Sequence, residues 1–205
     1  MDKNSKPAVI NAESYERIIL HSCRHANAGI PEDEWKMVYG LLSGYSDDKF
    51  LFVKNVHPIA VGSATEVSVG EQEFLKTQEI FDKLDSEGKG HHIVGSYNSQ
   101  PGLGLFMSTV SLINLLGFQA KFNDAVTILF DPTLLGKKIE KKTDDKTITM
   151  LDTGIKIFRL SDVTMTTESD DYNSNYHRVN YTVDGLNKFF FAKVLVKLSE
   201  LTKER

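Results

Sequence analysis

Cysteine is nearly missing from this chain: Cys23 stands alone among 205 residues. One thiol excludes an intrachain disulfide framework and a cysteine-rich zinc site, and it fits a reducing, intracellular setting. The N-terminal "MDKNSKPAV" is polar with no apolar core behind it, so no secretory signal is expected. Long hydrophobic runs are missing too. The most apolar stretch, residues 104–118, is interrupted by Ser108, Ser111 and Asn114 and is too short to span a bilayer. There is no excess of basic residues either, and a formal net charge of −4 argues against a general nucleic-acid face. What the chain does have is an ordinary apolar content of 40%, enough to build a core. The expectation is a soluble, cytoplasmic α/β domain with no nucleic-acid or membrane partner.

Hydrophobic spacing predicts a helix over residues 11–28, capped by Asn11 or Ser14 and ended by Gly29 and Pro31. Two strands follow, residues 36–45 and "KFLFVKNVHPI", joined by the turn-like "YSDDK" into a hairpin. Residues 71–84 read as an amphipathic helix with Phe74, Leu75, Ile80, Phe81 and Leu84 inward. A short strand then leads to "VGSYNSQPGLGLFMSTVS", followed by a helix at 108–118 with Ser108 as N-cap. "DAVTILFDP" and "GIKIFRLS" are strands that bracket "KKIEKKTDDK", a charged hairpin or loop. Residues 166–176 are polar and acidic, which predicts a mobile segment. From Val183 onward a helix carries Leu186, Phe190, Val194, Leu198 and Leu201, widened by Phe189, Phe191 and Leu195. The reading divides the chain into a domain at 1–165, a linker at 166–180 and a C-terminal amphipathic helix at 181–205.

The central loop has the layout of an active site, yet Asn98, Ser99 and Gln100 are neither acids nor bases. "HANAGIP" and "GLLSG", the block "VGSYNSQPGLG" with Ser108 and Ser111, "AVTILFDP", "IKIFRLS" and "HRVNYTVDGLNKFFF" occur in that order. In this order the chain resembles the JAMM/MPN (Mpr1/Pad1 N-terminal) metalloprotease family, closest to its proteasome-lid deubiquitinase branch. The resemblance implies an MPN fold: a mixed β-sheet flanked by helices, with an appended C-terminal helix. Active members carry His-Ser-His-Pro, six residues, a serine, two residues and an aspartate. The two histidines and the aspartate bind zinc, and a glutamate ahead of the "GLL" strand serves as general base. On this chain the histidine positions fall on Asn98 and Gln100, the aspartate position on Ser111 and the glutamate position on Met37. Ser99, Pro101, Gly102, Gly104 and Ser108 keep the family's frame.

Neutral amides and a hydroxyl are poor zinc ligands, and a thioether takes up no proton. The resemblance therefore implies a zinc-free, MPN-minus member: no cofactor, no catalytic residue, and degenerate positions at Met37, Asn98, Gln100, Ser108 and Ser111. Replacement groups do not fill the gap. Glu34 lies about 10 Å from Met37 at roughly 3.3 Å per extended residue, too far for a base. His91 and His92 are adjacent in a strand and point to opposite faces. His21 and His25 are one helical turn apart and either share a metal or sit at the helix margin, with Cys23 in the core. Ser99 and Ser108 have no expected histidine partner for a nucleophilic triad.

In the resembling family, catalytically empty members serve as architectural partners. The implied role is a scaffold or regulatory subunit that pairs with another MPN protein or with itself. Its setting would be a proteasome-lid-, signalosome- or translation-factor-like complex. The pairing face would be Leu186, Phe189, Phe190, Phe191, Val194, Leu195 and Leu198, although internal packing of the three phenylalanines is an equal reading. An alternative is a non-cleaving receptor for ubiquitin or a ubiquitin-like protein, whose tail would lie along Gly102, Leu103 and Gly104. A residual isopeptidase with rearranged ligands is the third reading.

Overall fold

The structure is a computed structural model describing residues 5–142 and 146–201, so the centre of the charged excursion and both chain ends lie outside the described residues. Strand β1 (Ala8–Asn11) precedes helix α1 (Ala12–Cys23). Asn11 caps the helix, its Oδ1 accepting from the Ser14 N–H at 2.7 Å. Strands β2 (Val38–Ser46) and β3 (Leu51–Val61) form the expected antiparallel hairpin. Its tight connection is held by Asp47 Oδ1, which accepts from the N–H groups of Lys49 and Phe50. Helix α2 (Glu71–Glu87), strand β4 (His92–Ser99) and helix α3 (Thr109–Gln119) follow in the expected order. Next come β5 (Val126–Phe130), the separate two-stranded ribbon β6 (Lys138–Lys142) and β7 (Thr147–Leu151), and β8 (Ile155–Leu160). The chain finishes with β9 (Tyr176–Val179), β10 (Tyr181–Asp184) and helix α4 (Phe190–Leu201).

The large sheet runs β10-β1-β3-β2-β4-β5-β8-β9. Its two ends are consecutive in the chain, separated only by Asn180, whose carbonyl accepts from the Ala8 N–H at 2.9 Å. A single extended run therefore pairs antiparallel with β8 in its first half and parallel with β1 in its second. The run thus links the two ends of the sheet through one stretch of chain. β5 is buried at all five residues, as an apolar strand covered on both faces must be. The main core gathers Tyr15, Ile18, Ile19 and Cys23 of α1 with Leu42, Tyr97, Ile128 and Phe130 of the sheet. This is a mixed α/β fold with a sheet flanked by helices and a C-terminal helix, the architecture the resemblance implies.

Several boundaries differ from expectation. Residues 181–184 are strand, so the last helix begins at Phe190 and not near Val183. Residues 166–180 are not a free linker: Tyr172 and Asn175 are buried, and β9 lies in the sheet. On α2 only Leu84 is buried, with Ile80 and Phe81 partly covered, because its C-terminal half alone packs against β3 and β4. Phe74 and Leu75 point outward at 57% and 56% exposure.

Candidate functional site

Strand β4 delivers the candidate loop to one end of the sheet, between β2 and β5. Asn98 lies opposite Tyr39 on one side and Leu129 on the other. Ser99 is fully buried and its Oγ accepts from the Val38 N–H at 2.9 Å, which ties the strand end to the start of β2. Met37 directly precedes the Val38 that this bond ties to the loop. It is buried, its own N–H donating to Ser63 O and its carbonyl accepting from Gly62 N–H.

Beyond Ser99 the Gln100 N–H donates to Phe130 O at 2.8 Å, and the chain turns at Pro101. Gly102 and Gly104 adopt φ of +69° and +83°, a region that favours glycine. The turn is held from below: the Gly102 N–H donates to Asp131 Oδ1 at 3.1 Å, and the same oxygen accepts from the Thr133 N–H and Oγ–H. Asp131 is buried, and sequence reasoning missed it as a site residue. The Asp-Pro step after a largely apolar strand was the available signal, and it reads equally as a strand stop.

Of the positions the resemblance aligns with the metal ligands, Gln100 and Ser111 bond within the loop. The Gln100 amide closes on the Phe106 peptide from both sides, Nε2 donating to its carbonyl at 3.1 Å and Oε1 accepting from its N–H at 3.4 Å. Ser108 caps α3 by accepting from the Ser111 N–H at 3.2 Å, and the two hydroxyls lie 3.0 Å apart. Asn98 Oδ1 is enclosed without a hydrogen-bond partner among the described residues. One orphan amide oxygen, one committed amide and one committed hydroxyl do not fit Zn²⁺, which requires imidazole, thiolate or carboxylate donors. Among the described residues no three His, Cys, Asp or Glu side chains gather as a metal site.

The replacement candidates stand apart from the loop. Glu34 is exposed in a short 3-10 turn, Glu32–Glu34. His91 stacks on Tyr45 while His92 meets Phe122 edge-on, so the two rings part as expected. His21 Nδ1 is 2.7 Å from the Tyr97 hydroxyl, its ring 5.9 Å from that of His25, and Cys23 is in the core. Burial, aided by the charges of His25 and Arg24, pushes the His21 imidazole down to about 4. Among the described residues no group of three His, Cys, Asp or Glu side chains forms around this pair. Ser43 Oγ lies 2.8 Å from His57 Nε2, but Ser43 is fully buried and open to no substrate.

A sequence profile of the JAB1/Mov34/MPN/PAD-1 ubiquitin protease family matches residues 5–120, more than half of the chain. The chain belongs to this family. Among its relatives, "Ubiquitin carboxyl-terminal hydrolase RPN11" of Saccharomyces cerevisiae is 27% identical over 175 residues, 85% of this chain and 54% of that protein. "26S proteasome regulatory subunit RPN11" of Encephalitozoon cuniculi is 32% identical over 115 residues, 56% of this chain and 37% of that protein. The chain thus spans about half or less of the length of these relatives. A solved structure, protein DSY2949 of Desulfitobacterium hafniense, superimposes with a TM-score of 0.50 at 13% identity, covering 88% of this chain and 95% of that one. At that identity the likeness speaks for the fold alone.

The C-terminal helix of this MPN protein divides the expected pairing face in two. Phe190 and Val194 are buried in the domain's own core, and Phe190 stacks on Tyr15 with centroids 5.5 Å apart and planes 7° from parallel. Phe191 and Leu198 are partly covered against the same core. Leu186, Phe189 and Leu195 remain exposed, joined by Val196, which sequence reasoning did not single out. Leu103, between the two turn glycines, is exposed, as is Phe106.

Proposed function

We propose that this chain is a catalytically inactive MPN domain acting as a scaffold or regulatory subunit. It would pair with another MPN protein, or with itself, in a complex of the proteasome-lid, signalosome or translation-factor kind. The observation that carries the reading is the Gln100–Phe106 clamp. An amide stands where the resemblance places a metal-binding imidazole, and both of its polar atoms are used inside the loop. No group there would acidify water, since that requires a bound cation. The apolar side chains left open on α4 and just before it supply a pairing surface, with Phe189 and Leu195 at 60% and 64% exposure. The soluble, cytoplasmic setting is part of the proposal; no helix among the described residues is long and apolar enough to cross a membrane.

The exposed Leu103 and Phe106 beside the glycine turn favour a second reading, a surface that holds the tail of ubiquitin or a ubiquitin-like protein without cutting it. One assay separates these from a residual isopeptidase. Incubation with ubiquitin dimers and excess zinc is expected to leave the dimers intact while the chain pairs in light scattering. Cleavage would overturn the inactive reading. Saturable binding of single ubiquitin by a strict monomer would move the function to the receptor.

A further inference from the structure

Helices α2 and α3 leave a cleft of about 660 Å³ between them, over β2 and β4. Phe81 of α2 stands on one side, Ile113 and Phe118 of α3 on the other, and Ile93 of β4 lies between. Phe122, just past α3, lines it together with His92, whose ring meets it edge-on at 4.5 Å between centroids. Phe81, Phe118 and Phe122 are each only half-buried, so aromatic surface is left facing the space.

Gly117 keeps the cleft open. It sits in the last turn of α3, whose C-cap is Ala120, and its φ is negative as in any helix. Neither conformation nor packing asks for glycine: a Cβ there would meet no atom within 4 Å. Glycine inside a helix weakens it relative to alanine, so α3 loses helix stability where a side chain would enter the cleft. The polar groups that line it are uncommitted. Tyr39 is half-buried, yet its hydroxyl makes no hydrogen bond among the described residues, whereas those of Tyr15 and Tyr97 bond Thr153 O and His21. Burial pushes the Tyr39 phenol up to about 12, so it keeps its proton and remains a donor. Among the described residues Lys121 has no ion-pair partner, and no carboxylate lines the cleft.

We propose that this cleft binds a small aromatic carboxylate, its rings between Phe81 and Phe118, its charge at Lys121 and a polar atom at its other end accepting from Tyr39. The volume lies in the range of metabolite sites, and an apolar lining with a few free polar groups is what such sites offer. Aromatic walls favour a flat ring system, and one cation with no acid beside it calls for one negative charge. The site is separate from the glycine turn, though Tyr39 lies opposite Asn98 across β2 and β4. It is also independent of α4, whose Phe190 stacks on Tyr15 of α1.

The test is calorimetric titration of the full chain with 6-hydroxy-2-naphthoate, which carries a carboxylate and a hydroxyl at opposite ends of two fused rings. A saturable one-to-one site is expected. Gly117→Leu fills the open space with a good helix former and is checked for a melting temperature that does not fall. It should bind at least about ten-fold more weakly. Lys121→Gln and Tyr39→Phe add no bulk, keep the test decisive, and should each weaken binding about three-fold or more. Leu195→Glu, on α4, should bind as the unaltered chain does. The proposal is overturned by no saturable binding, by an affinity unmoved in Gly117→Leu, or by one unmoved in both Lys121→Gln and Tyr39→Phe.

Discussion

Gln100 and Phe106 hold one another across the turn, the side-chain amide of one accepting from and donating to the backbone of the other at 3.4 and 3.1 Å. Truncation at Gln100 removes both hydrogen bonds to the Phe106 peptide, which are part-buried, and costs on the order of 1 kcal/mol. Gln100→Ala should therefore lower the urea midpoint without changing the slope. Asn98→Ala should cost far less, because Asn98 Oδ1 has no partner to lose among the described residues.

If the four positions are read in the right register, restoring their chemistry should restore a metal site. The combined variant Met37→Glu/Asn98→His/Gln100→His/Ser111→Asp is expected to take up one zinc per chain in equilibrium dialysis. Gln100→His alone should take up none, since one imidazole is not a zinc site. A folded combined variant that still excludes zinc would contradict the register.

On α4 the buried and exposed halves should separate in experiment. Phe190→Ala removes a ring stacked on Tyr15 inside the core and should cost about 3–5 kcal/mol in chemical denaturation. Leu195→Glu alters an exposed position and should leave stability within about 0.5 kcal/mol. It should nonetheless abolish pairing in sedimentation velocity.

Burial first, and then the charges of His25 and Arg24, lower the His21 imidazole in the folded chain to about 4, against an ordinary 6.5. Between those values the unfolded chain binds the extra proton, so stability falls as pH drops from about 6.5 toward 4 and is level above. His21→Asn should flatten that part of the profile when denaturation midpoints are compared across pH.

Gly95 has φ of +141°, and a Cβ there would sit 1.8 Å from the Val126 carbonyl oxygen. Backbone has no room to yield inside the β4–β5 pair. Gly95→Ala should abolish soluble expression, whereas Gly117→Ala on α3, with open space around it, should not.

Much of this was legible in the sequence because local pattern and final structure agree. Asn11 caps α1, Ser108 caps α3, and the largely apolar run before Asp131 is a fully buried strand. The linking of the sheet's two ends was not legible. β1 has four residues, and "YTVD" finds its strand character only by pairing with residues more than 170 positions away. The spacing of Asn98, Gln100, Ser108 and Ser111 pointed to one loop; Gln100 bonds Phe106 within it, and Ser108 caps α3 with Ser111. That Gln100 spends its amide on Phe106 depends on the path of the glycine turn, which residue types alone do not specify. On α4 the apolar stripe was visible, but which half of it α1 covers is a tertiary fact.

The zinc content of the purified chain tests the central claim most directly. Elemental analysis after dialysis against zinc-containing buffer is predicted to find far less than one zinc per chain. One tightly held zinc per chain, lost together with activity on ubiquitin dimers when a chelator is added, would contradict the account.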